Sequence, residues 1–172
     1  SLQGGFIVNA NANIGSNLIF DPTSADARQG SLNSGEGLFY VAPNATATLS
    51  GNVMANSFTK FGGGTVIFAG TNNGILGALT VQEGTLKVAP GAQFARLATD
   101  LVLNGQGTLD LDGNDARFSS LYNTSGVGGG IIINNGTSDA TLTIFAPTST
   151  VAVPPSRSGL IGQNTNKIIT GL

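Results

Sequence analysis

The sequence predicts an all-β chain folded as a β-solenoid, and three observations lead to that prediction. Short apolar runs bounded by Gly, Asn or Pro recur along the whole chain. One five-residue pattern returns at a nearly constant spacing. Helix signals are scarce, because 26 glycines are spread through the 172 residues and charged pairs at helical spacing are missing.

The predicted strands are runs of three or four residues that are apolar or alternate between apolar and polar. Their flanking Gly, Asn and Pro residues favour turns, which limits each strand to this short length. In chain order the runs are 6–8, 38–41, 65–68, 79–81, 86–88, 101–103, 109–111, 131–133 and 142–144.

The repeated pattern is Gly-Thr followed by alternating apolar positions. It begins at Gly64, returns at Gly84 and returns again at Gly107, at offsets of 20 and 23 residues, and a looser copy begins at Ala140. A solenoid shows such recurrence because each coil buries its apolar side only when a neighbour stacks on it. At about 22 residues per coil, the chain would form roughly eight coils. A β-sandwich or jelly roll is the alternative fold, since its strands also recur at short spacing.

The repeat also predicts one contact between coils. Lys87 and Asp110 occupy the same position in successive copies of the pattern. If the coils stack in register, these side chains are neighbours, and we expect an exposed ion pair worth roughly 0 to 1 kcal/mol.

We expect one domain over residues 1–172, with three parts. Residues 1–46 are less regular, residues 47–145 form repeat-like coils, and residues 146–172 hold Pro147, Pro154 and Pro155. Proline cannot donate to a strand ladder, so this last part is predicted to leave it and to complete the sheet of a neighbouring subunit. The first five residues have neither an initiator Met nor a signal-peptide pattern, so we expect a processed or excised chain.

Composition argues against several classes of function. Only 9% of residues are charged and the net charge is −2, with no basic cluster to bind nucleic acid. Cys and His are absent, which removes thiol nucleophiles, Ser-His-Asp triads and the usual zinc ligands. The sequence contains no apolar run of about 18 residues, so we do not expect it to insert into a membrane. We therefore expect neither an enzyme nor a cofactor.

The acidic cluster Asp110, Asp112 and Asp115 is the one candidate for chemistry. Asp110 and Asp112 would share one face of a strand, with Asp115 beyond a Gly-Asn turn, so a weak metal site is geometrically possible. The plainer interpretation is an outward strand side chain followed by a turn, where Asp and Asn are favoured.

Part of the chain resembles a known family. Residues 58–70 (FTKFGGGTVIFAG) and 79–88 (LTVQEGTLKV) resemble the autotransporter-associated β-strand repeat, and residues 101–114 (LVLNGQGTLDLDGN) are similar to the segment that often follows it. The resemblance covers roughly residues 47–145. It implies a right-handed parallel β-helix in a bacterial surface or secreted protein, typically a passenger or stalk without catalytic residues of its own.

Three functions remain in competition. The first is an extracellular filament or stalk subunit that joins copies of itself, or flanking coils of a longer chain, through strand edges at its ends. The second is a segment of an autotransporter-type adhesin that binds surface glycans. The third is a polysaccharide-degrading enzyme, which requires a cleft at the aspartate cluster and a nearby basic residue such as Arg117.

Overall fold

All regular structure in the described part of the chain is β-strand. The computed structural model describes residues 5–20, 35–94, 99–124 and 129–144, together with the backbone of residues 160–161. Within these ranges no helix is long and apolar enough to cross a membrane. The predicted all-β class is confirmed.

Sixteen strands are described, most of them two to six residues long. They are β1 (Gly5–Val8), β2 (Ala12–Ile14), β3 (Leu18–Ile19), β4 (Glu36–Val41), β5 (Thr46–Leu49), β6 (Val53–Ala55), β7 (Ser57–Phe61), β8 (Thr65–Phe68), β9 (Gly74–Ile75), β10 (Ala78–Val88), β11 (Asp100–Asp110), β12 (Ala116–Phe118), β13 (Ser120–Tyr122), β14 (Ile131–Ile133), β15 (Leu142–Ile144) and β16 (Leu160–Ile161).

The strands stack as a parallel β-solenoid, as the sequence predicts, and the described residues form about five turns. Each coil has three sides. The first side carries β1, β4, β7, the first halves of β10 and β11, and β13; the second carries β2, β5, β8, the second halves of β10 and β11, β14 and β16. The third side carries β3, β6 and β9, followed by β12 and β15. Every pairing between these strands is parallel, which rules out the antiparallel sandwich.

The predicted number of coils is wrong. Roughly eight coils follow only if the spacing of about 22 residues holds everywhere, and it holds only in the middle of the chain. At one end Gly5 pairs with Leu38, and at the other Ala116 pairs with Leu142, so longer connections consume residues there. The predicted Pro-containing segment, residues 146–172, lies outside the described residues apart from the backbone of β16, which pairs with β14.

The register of the central copies follows the repeat. Thr65 pairs with Thr85, and Thr85 pairs with Thr108, as the offsets of 20 and 23 predict. The looser copy at Ala140 does not continue this column. The next strand there is β14, and β15 lies on the third side against β12, because Ile131 follows Thr108 by the same spacing of 23 residues.

Inward-facing side chains alternate with outward-facing ones and fill the coil. Phe39, Phe58 and Phe68 are fully buried, and their rings form part of a column of aromatic contacts. Most described phenylalanine rings occupy stacked core positions, whereas Phe61 faces outward against Tyr40. Successive ring centroids are 5.2 Å apart in Phe6–Phe39, 5.6 Å in Phe39–Phe58, 5.2 Å in Phe58–Phe68, 5.5 Å in Phe68–Phe94 and 5.4 Å in Phe94–Phe118.

Asparagines join the coils at a corner near the third side. The Asn17 side-chain oxygen accepts the Asn52 backbone N–H at 2.9 Å, and the Asn52 side-chain oxygen accepts the Asn72 N–H at 3.0 Å. Asn73 is fully buried, accepts the Val53 N–H and donates to the Gly70 and Gln93 carbonyls. Such side chains satisfy backbone groups that the turns leave without a ladder partner.

Candidate functional site

Three features of the structure are candidates for function: the predicted aspartate cluster, a groove on the third side, and the open strand edges at the start of the solenoid. The aspartates come first. Asp110 ends β11, Asp112 lies in the following turn with a positive φ of 48°, and Asp115 precedes β12. The turn therefore separates Asp110 from Asp112, so the predicted common strand face does not form.

Asp110 is buried and its carboxylate is engaged on both oxygens. Oδ1 accepts the backbone N–H groups of Asp112 and Asn135, each at 3.0 Å, and Oδ2 accepts the Asn135 side-chain amide at 3.1 Å. The exposed fraction of Asp110 is 1%. The carboxylate thus ties the turn after β11 to the turn after β14.

Lys87 completes this cluster from the neighbouring coil. Its Nζ lies 3.2 Å from Asp110 Oδ2 and 3.3 Å from Asp112 Oδ1. The predicted pairing of Lys87 with Asp110 is confirmed, including its register. The prediction that the pair is exposed is wrong for Asp110, because the carboxylate lies under the corner formed by the turn at residues 112–113 and Asn135.

Burial and hydrogen bonding act in opposite directions on both groups. Burial alone would raise the pKa of Asp110, but the N–H of Asn135, the Lys87 ammonium and the N–H of Asp112 together lower it below its ordinary value. Burial alone would lower the pKa of Lys87, but hydrogen bonds and charge from Asp110 and Asp112 raise it. The pair is therefore ionised at neutral pH and holds two coils together.

Asp115 takes a separate role. Its Oδ1 accepts the Thr141 backbone N–H at 2.7 Å, which links it to the residue before β15. In the described ranges, no three acidic side chains come close enough to hold a metal ion. The structure thus brings Lys87 to Asp110 and Asp112 and Asn135 to Asp110, and it directs the carboxylates of Asp110 and Asp115 to backbone N–H groups.

A groove lies on the third side of the solenoid, between the coil of β10 and the coil of β11. The sheet on this side is in two pieces. β3, β6 and β9 form one piece, extended by a single bridge from Asn73 to Phe94, and β12 with β15 forms the other. Across the described residues no strand pairing joins Phe94 to β12.

The groove has a volume of about 480 Å³ and is lined by Ala89 and residues 91–94 from one coil and residues 114–117 from the other. Phe94 and Phe118 touch beneath it, with ring centroids 5.4 Å apart. Asn114 closes one end, because its side-chain amide donates to the Val88 carbonyl at 3.0 Å. Sequence analysis identified Arg117 and Asp115, but the groove itself depends on pairing between coils that the local pattern does not reveal.

Sequence analysis also missed a buried lysine. Lys60 is fully buried, and its Nζ donates to the carbonyls of Gly62 at 2.5 Å, Glu83 at 3.0 Å and Phe61 at 3.3 Å. Burial lowers the pKa of Lys60 to about 8, and the negative charge of Glu83 offsets part of that effect. The signal was present in the alternation, since Lys60 has the same parity as the inward-facing Phe58.

The strands at the start of the solenoid have an open edge. In the part of the chain that the structure describes, β1, β2 and β3 each pair on one side only, with β4, β5 and β6. The Val8 carbonyl accepts the Ala42 N–H, so the polar backbone groups of Ile7 point the opposite way, toward the open edge. These three strands contain no charged residue and no proline.

No protein-family model, curated protein sequence or solved structure matches this chain. The resemblance of residues 47–145 to the autotransporter-associated β-strand repeat therefore stays a prediction.

Proposed function

We propose that this chain is a non-catalytic structural segment of an extracellular or cell-surface rod, and that it joins head to tail with another copy of itself through strand edges. The observation that carries the proposal is the open edge of β1, β2 and β3 in a solenoid whose strand pairings are all parallel. A second copy placed in line keeps the strand direction, so its strands can pair in parallel with β1, β2 and β3.

The open edge has the chemistry of a joining surface. Unpaired backbone groups on a strand recruit another strand unless charges, proline or a covering segment prevent it. In β1 the exposed fraction of Ile7 is 72%, and in β3 that of Ile19 is 48%. Phe6 stacks on Phe39 at 5.2 Å but is only partly buried, so an incoming apolar side chain would continue the aromatic column.

The non-catalytic part of the proposal rests on the aspartates. A general acid or base needs a carboxyl group that can reach a substrate. Asp110 is instead buried and bonded to Asn135, Asp112 and Lys87, so Asp115 is the one member of the predicted cluster that lines the groove, whereas cleavage of a glycosidic bond uses a pair of carboxyl groups. Holding neighbouring coils together accounts for these contacts.

Light scattering and negative-stain electron microscopy of the purified chain test the proposal. We expect unbranched fibres that lengthen with protein concentration. Ile7→Pro removes the N–H that faces the open edge while leaving the bonds from β1 to β4, so it should give monomers with an unchanged circular dichroism spectrum.

Ile7→Thr is the matched control, because it keeps the N–H and the β-branched shape and should still assemble. A wild-type chain that stays monomeric at every concentration would contradict head-to-tail assembly. Fibres formed equally well by the Ile7→Pro variant would place the joint elsewhere.

A further inference from the structure

We propose that the groove between the coils of β10 and β11 binds a short saccharide that carries a carboxylate. This binding site is independent of the strand edges and does not rest on assembly. The groove volume of about 480 Å³ lies within the range of small-molecule sites, which is roughly 300 to 1,000 Å³.

The positive charge of the Arg117 guanidinium favours an anionic ligand. Arg117 is exposed, lines the groove and forms no ion pair with any described residue, although Asp115 lines the same groove. A guanidinium offers two parallel N–H donors that match the two oxygens of a carboxylate. One such group suits a single carboxylate, whereas a chain of phosphates requires several cations.

The other lining groups suit hydroxyls. Asp115 lines the groove and uses Oδ1 to accept the Thr141 N–H, which leaves Oδ2 as a further acceptor. The Gln93 side chain is exposed and supplies both a donor and an acceptor. Acceptors and donors that flank a cationic group are the complement of a sugar ring with one acidic substituent.

The floor of the groove is apolar and shallow. Ala89, Ala92 and Ala116 contribute only methyl groups, and Phe94 is partly exposed beside them. This surface fits the C–H face of a sugar ring. Together with the hydroxyl-binding groups of Asp115 and Gln93, it favours a saccharide over a peptide with a free carboxylate.

The test uses two probes that differ only in the carboxylate, methyl β-glucuronide and methyl β-glucoside, with binding followed by saturation-transfer NMR and by titration of the chain. We expect the glucuronide to bind at least 10-fold more tightly than the glucoside, and sodium chloride to reduce that preference by screening. Equal binding of the two probes, or no binding at tens of millimolar, would overturn the proposal.

Variants locate the site. Arg117→Gln removes the charge at similar length and should abolish the preference for the glucuronide, while Arg117→Lys keeps the charge, loses the paired donors and should retain a weaker preference. Unchanged preference in the Arg117→Gln chain, with an unchanged circular dichroism spectrum, would exclude this groove. Triglycine is the control for a peptide carboxylate, and its binding more tightly than the glucuronide would refute the saccharide class.

Discussion

Lys87 and Asp110 lie at the same position of adjacent strands, and their Nζ and Oδ2 atoms are 3.2 Å apart. The two side chains differ in environment, since 27% of the Lys87 side chain is exposed and only 1% of that of Asp110. The pair therefore has one solvated member and one buried member, and most of its effect on stability is expected from the buried carboxylate.

Asp110→Asn is expected to lower the free energy of unfolding at pH 7 by about 1 to 3 kcal/mol, because the buried acceptor loses its charge while its hydrogen-bond donors remain. Urea denaturation followed by circular dichroism measures the change. Asp115→Asn is the control, since Asp115 is exposed and accepts one backbone N–H, and it should cost less than about 1 kcal/mol.

The same variant has a predicted pH dependence. The pKa of Asp110 is lower in the folded chain than in the unfolded chain, so its stabilising contribution is present above the unfolded pKa and is lost as pH falls through the folded pKa. The difference in stability between wild type and Asp110→Asn should therefore shrink between about pH 5 and pH 2. A difference that stays constant over this range would show that the Asp110 charge does not contribute.

Alternation and spacing predicted much of the fold from the sequence. The repeat at Gly64, Gly84 and Gly107 predicted both the register of the central coils and the neighbours of Lys87. The general preference of charged groups for the surface led to the wrong prediction that Asp110 is exposed, because two donors that compensate its burial, the N–H and the side-chain amide of Asn135, come from a turn 25 residues away. The sequence next to Asp110 does not indicate the contact with Asn135.

The candidate groove could not be predicted for a related reason. The groove lies where no pairing between described strands joins Phe94 to β12, and pairing between coils depends on residues that are distant in the sequence. The looser copy at Ala140 shows the same limit. Its apolar pattern matches the second side, yet β14 occupies that place and β15 packs on the third side.

The direction of side chains in β7 gives a third prediction. Phe58 is fully buried among Phe39 and Phe68, whereas Phe61 faces outward beside Tyr40. Phe58→Ala should lower the free energy of unfolding by about 3 to 5 kcal/mol, through lost apolar contact and the cavity left behind. Phe61→Ala is the matched change and should cost about 1 kcal/mol. Similar losses for the two variants in chemical denaturation would contradict the inward and outward assignment.

Two glycines with positive φ allow the stability cost of backbone strain to be distinguished from the cost of crowding. Gly84 has φ of 69°, and a Cβ there would lie 2.4 Å from the Gly64 carbonyl oxygen and 2.7 Å from Lys60 Nζ. Gly91 has φ of 75° with no atom within 4 Å of the added Cβ. Gly91→Ala should cost about 1 kcal/mol from the left-handed backbone alone. Gly84→Ala should cost about 1 to 3 kcal/mol more, because the corner cannot open without moving the carbonyls that bind Lys60. Equal thermal shifts would refute the close approach at Gly84.

Lys60 gives the last prediction, which concerns alkaline pH. Its pKa is about 8 in the folded chain against 10.5 for an ordinary lysine, so between these values the unfolded chain binds more protons than the folded chain. Stability should therefore rise as pH rises from 8 toward 10.5, by up to about 3 kcal/mol for this group.

Lys60→Met should flatten that rise, although it also lowers stability throughout by leaving the carbonyls of Gly62 and Glu83 without a donor. Lys87→Met is the control and should keep the rise, because the raised pKa of Lys87 places its loss of charge above 10.5. Urea denaturation of the three chains at pH 7, 8, 9 and 10 measures the slopes, and equal slopes in wild type and Lys60→Met would mean that the buried lysine keeps its proton throughout.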